Sequence, residues 1–319
     1  MEGGAARAGA RARAAVRRLG KSVVRSAQRR EGTAFVPPWE ASVLQDVALS
    51  RPLNLVFRLL RVRVALAASG RIPGLRLRPG ATVAIVNWNS ADLLVDVLRA
   101  VERFSPPGTE VLVVDNGSTD GSAQLLREAR ARGVRSVLLR RNIFHGPAMD
   151  LAFLLSRTRS VIALDVDAFP IAPDWIEQLT APLDQGFTVS GAEAARGYVH
   201  PCCLAMHVER FAEMRHTFTP HVGDWDPDKL GTELWDTGES ITRREGLERA
   251  YRFPRTRVRG PLQLGSVFGD LVYHNGASTR LRADTKIDGL TVSDAEQAWR
   301  EAVAEHLGGE PERPHGAVG

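Results

Sequence analysis

The residues with chemistry to offer are the polar ones that end short apolar runs. The run TVAIVN closes on Asn87-Trp88-Asn89-Ser90, EVLVVD on Asp115-Asn116-Gly117-Ser118-Thr119-Asp120-Gly121-Ser122, and SVIAL on Asp165-Val166-Asp167. In open parallel sheets ligands sit at the carboxyl ends of the strands, so these are the positions to inspect. Two carboxylates on a strand-to-loop turn can hold a divalent cation against a diphosphate, neutralising its charge. The structural alternative is a pair of acids that cap or turn the chain before Pro170. No G-x-G-x-x-G follows the first run and no G-x-x-x-x-G-K-[ST] occurs anywhere. Dinucleotide and P-loop sites therefore lose their best support.

The elements that must position these residues begin at Ala81, where β-rich runs alternate with helical ones, the pattern of a parallel sheet covered by helices. Strands are expected at Thr82–Asn87, Glu110–Asp115, Ser136–Arg140 and Ser160–Leu164, and helices at Ala91–Phe104, Asp120–Arg132 and Pro147–Arg157. The nearly continuous apolar character of the strands implies burial on both faces. Phe187–Gly191 and Gly265–Tyr273 read as later strands of a mixed sheet. Ser118, Thr119 and Asp120 read as caps of the helix that follows.

Composition bounds the rest. The 319 residues are 44% hydrophobic and 25% charged, as in globular proteins, and no apolar run approaches the roughly 18 to 20 residues of a spanning helix. Cys202 and Cys203, adjacent and alone, exclude a disulfide framework and a zinc finger, favour a reducing compartment, and read as core residues of a buried strand. The net charge of +5 divides unevenly: residues 1–30 hold nine Arg or Lys against Glu2 alone, and the rest of the chain is acidic overall. The basic character thus belongs to an arm, and the body has no compositional claim on nucleic acid.

In that arm Arg7, Arg11, Arg18, Arg25 and Arg29 would share one face of a helix. With few large apolar residues it reads as a solvated tail, with an anionic lipid contact or a presequence as alternatives. Leu53–Ala68 (LNLVFRLLRVRVALAA) reads as an amphipathic helix resting on the main domain or on a membrane surface. The expected organisation is a basic arm over 1–30, a helical extension over 31–80, a main domain over 81–307 divided near 180, and a disordered tail over 308–319.

VAIVNWNSADLL, EVLVVDNGSTDGS and VIALDVDAFP, in this order and at these separations, resemble the inverting family 2 glycosyltransferases of the GT-A fold, with a rhamnosyltransferase-like subgroup among the options. The resemblance covers about 81–178 and fades towards 280. It implies an α/β Rossmann-like domain: a mixed, mostly parallel sheet with helices on both faces. It also implies a divalent metal ion, Mn or Mg. By resemblance Asp167 ligates the metal, Asp165 faces the ribose or a metal-bound water, and His274, in LVYHNGAST, is a third ligand. Asp115 accepts from a pyrimidine base, with Trp88 against the base and Asn87 and Asn89 beside it; core packing is the alternative for Trp88. Asn142 and Gly146 resemble the donor loop, although Asp150 stands where Asn is common. His200 lines the acceptor mouth or ends a strand. The general base is sought in ELWDTGESITRREG among Glu233, Asp236 and Glu239, with Asp236 preferred and Glu239 next. Asp236-Thr237-Gly238-Glu239 is also a capping box.

The function implied is transfer of a hexosyl or deoxyhexosyl group from a UDP, dTDP or GDP sugar to an acceptor hydroxyl or other nucleophile. The acceptor would be a glycan, lipid-linked saccharide, natural product or peptide. The expected location is cytoplasmic, with peripheral membrane contact through the basic N-terminus and no nucleic-acid partner. The rivals are a nucleotidyltransferase, which would want Gly and Lys directly after the first strand, and a non-catalytic sugar-nucleotide-binding or membrane-surface adaptor.

Overall fold

The computed structural model describes residues 51–72, 74–222, 234–258, 264–276, 278 and 289–308. The expected basic arm, the first part of the helical extension, Glu233 and the tail beyond Gly308 lie outside the described residues.

Helix α1 (Arg51–Ala68) precedes β1 (Arg78–Asn87), α2 (Ala91–Phe104), β2 (Glu110–Asp115), α3 (Ser122–Ala129), β3 (Arg135–Leu138), α4 (His145–Leu155) and β4 (Thr158–Asp165). Then come β5 (Ala168–Pro170), α5 (Trp175–Asp184), β6 (Val189–Glu193), β7 (Val199–His207) and α6 (Val208–Glu213). The last elements are β8 (His221–Val222), β9 (Leu234–Trp235), α7 (Glu239–Glu245), β10 (Ala250–Phe253), β11 (Arg255–Val258), β12 (Ser266–Phe268), β13 (Val272–His274) and α8 (Val292–Leu307).

The main sheet has the order β10-β6-β7-β4-β1-β2-β3 and is parallel except for β7, which runs against both neighbours. This is the expected mixed, mostly parallel sheet. Alternation along β1 divides the core. Val83 and Ile85 face one layer with residues of α2, α3, α5 and α8, whereas Ala84 and Val86 face another with residues of α1, α4, α6 and α7. Helix α4 is buried from Gly146 to Leu154 because α1 covers the side that the sheet does not.

A second sheet, β11-β12-β13-β5, is antiparallel throughout. Its β12 and β13 replace the single strand expected over Gly265–Tyr273. Gly269 and Asp270 both take positive φ, and this reverses the chain into a hairpin. Only Val166 and Asp167 separate β4 from β5, so the two sheets meet at the acidic pair. Phe169, Tyr273 and Trp299 form an aromatic cluster behind that joint, and Trp299 Nε1 donates to Asp96 on α2 at 2.9 Å. Helix α8 is thereby fastened behind the junction.

Candidate active site

The joint between the sheets brings together residues remote in sequence. Register pairing of β13 with β5 places His274 opposite Ala168, and Asn275 N donates to Asp167 O at 2.8 Å. His274 Nε2 consequently lies 3.4 Å from Asp167 Oδ1 and 3.9 Å from Asp165 Oδ2. One ligand atom from each of the three falls within 4.8 Å of the others. Asp165 Oδ1 is buried without a hydrogen-bond partner, and His145 Nε2 lies 3.4 Å from it. Two carboxylates and one imidazole, with an orphaned carboxylate oxygen, fit a divalent cation with oxygen and nitrogen ligands. Buried acids without such a purpose are normally satisfied by protein donors.

The same joint has a soft side that the sequence reading treated as plain core. Strand β7 lies antiparallel beside β4, and its period of two turns His200 and Cys202 to one face, with the Tyr198 ring, just before the strand, beside His200. The His200 and His274 rings are 5.4 Å apart, and Cys202 completes a second trio of atoms within 4.8 Å. Burial alone would raise the Cys202 pKa, but His274 and His200 outweigh it and bring the thiol down to about 7. At the adjacent Cys203 burial pushes the thiol pKa up, with Cys202 and Asp165 adding to the rise. Nothing in the motifs announced Tyr198, Cys202 or His145 as neighbours of the acids.

At the ends of β1 and β2 the polar residues bind one another. Asp115 Oδ2 accepts from Asn87 Nδ2 at 3.0 Å and its Oδ1 from Ser118 N at 3.0 Å, which leaves Asn87 Oδ1 buried and without a hydrogen-bond partner. Trp88 is 41% exposed, so the core-packing alternative is excluded. Ser118 and Thr119 do not cap α3 as expected; they tie the β2 loop to Asn89, whose Oδ1 accepts from Thr119 N and whose N donates to Ser118. Only Asp120 acts as a cap, and it serves two helices, accepting from Ala91 N of α2 and Ser122 N of α3. Asn142 Oδ1 accepts from Asn116 and from Phe144 N, holding Phe144 at φ 74° next to His145. Gly146 packs against the Phe218–Thr219 backbone, where a Cβ would come within 2.7 Å of Thr219.

Asp150 lies outside this donor loop. It is fully buried, accepts from Thr217 Oγ1 at 2.6 Å and Phe218 N at 2.7 Å, and burial pushes its pKa up to about 7 against those bonds. Its role is to fasten α4 to the 217–219 segment.

The two candidate bases differ. Glu239 is fully buried, bonded to Arg196 and Arg243, and accepts from Asp236 N at 3.0 Å, the return bond of the expected box. Asp236 is half-buried and its Oδ2 accepts from Tyr198 OH at 3.1 Å. Gly238 rather than Asp236 is the residue before α7, and Asp236 Oδ1 accepts from Thr237 N instead of a helical N–H. Tyr198 is held neutral by burial and by the nearby Asp236 and Glu239, which raise its pKa, so it donates to Asp236 throughout the physiological range. A separate cavity of about 710 Å³ opens at the opposite end of the central strands, beside Arg78, Ser160 and His207, and contains none of these residues.

Residues 82–201 match the family described as glycosyl transferase family 2. The undecaprenyl-phosphate 4-deoxy-4-formamido-L-arabinose transferase of Edwardsiella ictaluri is 36% identical over 116 residues, covering 34% of this chain and 35% of that protein. Its counterpart from Pseudomonas fluorescens is 34% identical over 116 residues, with 34% of each chain covered. This chain spans about a third of the length of the curated relatives it matches. Among solved structures, a mannosyltransferase from Pyrobaculum calidifontis in complex with GDP-Man and Mn2+ aligns over 83% of this chain and 88% of its own, with 16% identity and a TM-score of 0.45. The S. aureus TarS 1–349 structure aligns over 72% of each chain, with 16% identity and a TM-score of 0.44. The three strand-end motifs all lie inside the segment that matches glycosyltransferase family 2, residues 82–201.

Proposed function

We propose that the protein is a metal-dependent inverting glycosyltransferase that moves a hexosyl or deoxyhexosyl group from a nucleoside diphosphate sugar to an acceptor hydroxyl. The observation that carries this reading is the meeting of Asp165, Asp167 and His274 at the joint of the two sheets. A divalent cation bound there supplies Lewis-acid neutralisation of the departing diphosphate. Asp167 and His274 would hold it, and Asp165, with one oxygen otherwise unpartnered, would complete the set or turn to the ribose. Asp115, which takes one bond on each oxygen from Asn87 and Ser118 and keeps further lone pairs, accepts from the base with Asn87 beside it, and the exposed Trp88 indole offers a face for stacking.

Asp236 takes the acceptor proton at Oδ2. The neutral Tyr198 hydroxyl orients that carboxylate, and ring contacts lead from Tyr198 through His200 to His274. Glu239, enclosed by Arg196 and Arg243, shapes the turn beneath it. A lipid-linked acceptor suits the reading, since the relatives named above are undecaprenyl-phosphate sugar transferases. Their acceptor class also supports a second reading: a phosphate oxygen is already anionic at neutral pH and needs no base.

The test is turnover on a panel of UDP, dTDP and GDP sugars with Mn2+ or Mg2+ and lipid-linked hydroxyl or phosphate acceptors. The anomeric configuration of the product is read by NMR. Configuration opposite to the donor is expected. Retention would exclude single displacement, and full activity in excess chelator would exclude the metal. Turnover on phosphate alone, unaffected by Asp236→Asn, would transfer the assignment to the second reading. The arm over residues 1–30, as a further membrane contact on the cytoplasmic side, is part of the same proposal.

A further inference from the structure

Helix α1 is turned the wrong way for a helix on an aqueous surface. Two of its arginines reach inward: Arg61 donates to His216 O at 2.9 Å and lies over the Phe211 ring, while Arg63 donates to Leu154 O and Ser156 O at the carboxyl end of α4. Val64 and Ala67 are buried between them, with Phe57 and Leu60 packed against the same core. Outward point Leu55, Leu59, Val62 and Leu66, exposed by 58, 61, 57 and 44%. At about 100° per residue these four lie within about 60° of arc, a continuous apolar ridge, with Val56 at its flank. An aqueous surface tolerates scattered leucines, but a ridge of this kind marks a contact.

The charge around the ridge says what covers it. Residues 51–80 contain seven arginines and no Asp or Glu, whereas residues 81–319 hold 26 basic against 33 acidic residues. Arg58 is exposed beside the ridge, and Arg71, Arg76 and Arg78 are exposed in the segment that follows. A second copy of the acidic body would also meet this charge, but it would have to present an apolar groove, and the large exposed hydrophobics described on the rest of the chain are scattered. A surface apolar in depth and anionic at its rim is a bilayer bearing acidic lipid headgroups. Among the described residues no helix is long and apolar enough to cross a membrane, so the contact is interfacial.

We infer that α1 seats the protein on an anionic lipid surface. The helix lies in the interfacial plane, with Leu55, Leu59, Val62 and Leu66 inserted among the acyl chains and Arg58 among the headgroups. Its inner face stays locked to α4 and α6, so the whole domain is held at the bilayer. This does not depend on the transfer reaction, and vesicle binding tests it without turnover.

The experiment is co-sedimentation of the full chain with vesicles of phosphatidylcholine alone or mixed with phosphatidylglycerol. Binding to the mixed vesicles is expected. Leu59→Glu with Val62→Glu should weaken it by about tenfold or more, because two inserted side chains become charged. Thermal midpoint and circular dichroism should not change, since both residues point outward. The milder Leu59→Ser with Val62→Ser should give the same direction if the charged pair impairs folding. Arg58→Glu and raised salt should each weaken binding less.

Failure of the wild-type chain to bind acidic vesicles would overturn the inference. So would binding that both ridge variants leave intact but deletion of residues 1–30 abolishes. A lipid-free dimer that the ridge variants convert to monomer would assign the face to a second copy instead.

Discussion

Two groups of carboxylates, one at the joint of the two sheets and one on α7, meet opposite fates. At the joint Asp165 and Asp167 face two histidines, and one oxygen of Asp165 has no hydrogen-bond partner. On α7, Glu239 and Glu245 are saturated. Glu239 has Arg196, Arg243 and a backbone N–H, whereas Glu245 has Arg210 at 3.0 and 3.1 Å and the fully buried His216 at 2.6 Å. Burial raises the Glu245 pKa, but the bonds from His216 and Arg210 outweigh it and take the group down to about 2. A buried acid that the protein has neutralised with fixed donors supports the fold. One that has been left needing a cation is prepared for a ligand.

Exchanging the two kinds of acid is the strongest way to break that contrast. Asp167→Ala should lower transfer by about a hundredfold or more, through loss of a ligand to the ion, with cooperative unfolding retained. Glu245→Gln should do the reverse. It leaves Arg210 and His216 without their carboxylate and should cost about 2–3 kcal/mol in denaturant unfolding, while the folded fraction keeps its turnover. A stability loss in the first or a selective activity loss in the second would dissolve the distinction.

The candidate bases sharpen it within one turn. Asp236→Asn cannot take a proton and should lose about two orders of magnitude in kcat on a hydroxyl acceptor, with donor binding and the melting midpoint preserved. Glu239→Gln should mainly lower the midpoint. If both behave as stability variants, the base lies elsewhere.

The smallest effect belongs to Asp150, a buried acid that fits neither group. Its folded pKa, near 7, stands above the unfolded value of about 3.9. The folded state therefore holds the proton more tightly. The associated stability is fully present below about pH 4 and is lost as pH rises through 7, with a slope of at most about 1.4 kcal/mol per pH unit. Asp150→Asn should flatten unfolding free energy between pH 5 and 8. An unchanged profile would mean that Asp150 stays ionised in its Thr217 and Phe218 bonds.

Where the chain is locally consistent, its elements were legible. Helix Ala91–Phe104 and strand Glu110–Asp115 occupy their expected residues, because the apolar period and the polar boundaries agree there. The three-residue β5 and β12 are too short for any period to register, and they build the second sheet. The continuous apolar run of β7 does not say that it runs antiparallel beside β4. The acids Asp165 and Asp167 could be singled out from residue type and position after an apolar run. His274 was named by resemblance, and Asp115 and Asp236 were named without their partners.

Residue order by itself determined the alternation of strands and helices, the acidic strand ends and the concentration of arginine before residue 80, since each depends on near neighbours along the chain. Tertiary structure decided which acids are already satisfied, that Cys202 and His200 stand beside His274, and that α1 turns Arg61 and Arg63 inward and Leu55, Leu59 and Leu66 outward. Those outcomes depend on contacts between residues tens to more than a hundred positions apart. Local pattern carries no information about which donor, of the many that a chain offers, packing will bring within 3 Å of a given carboxylate.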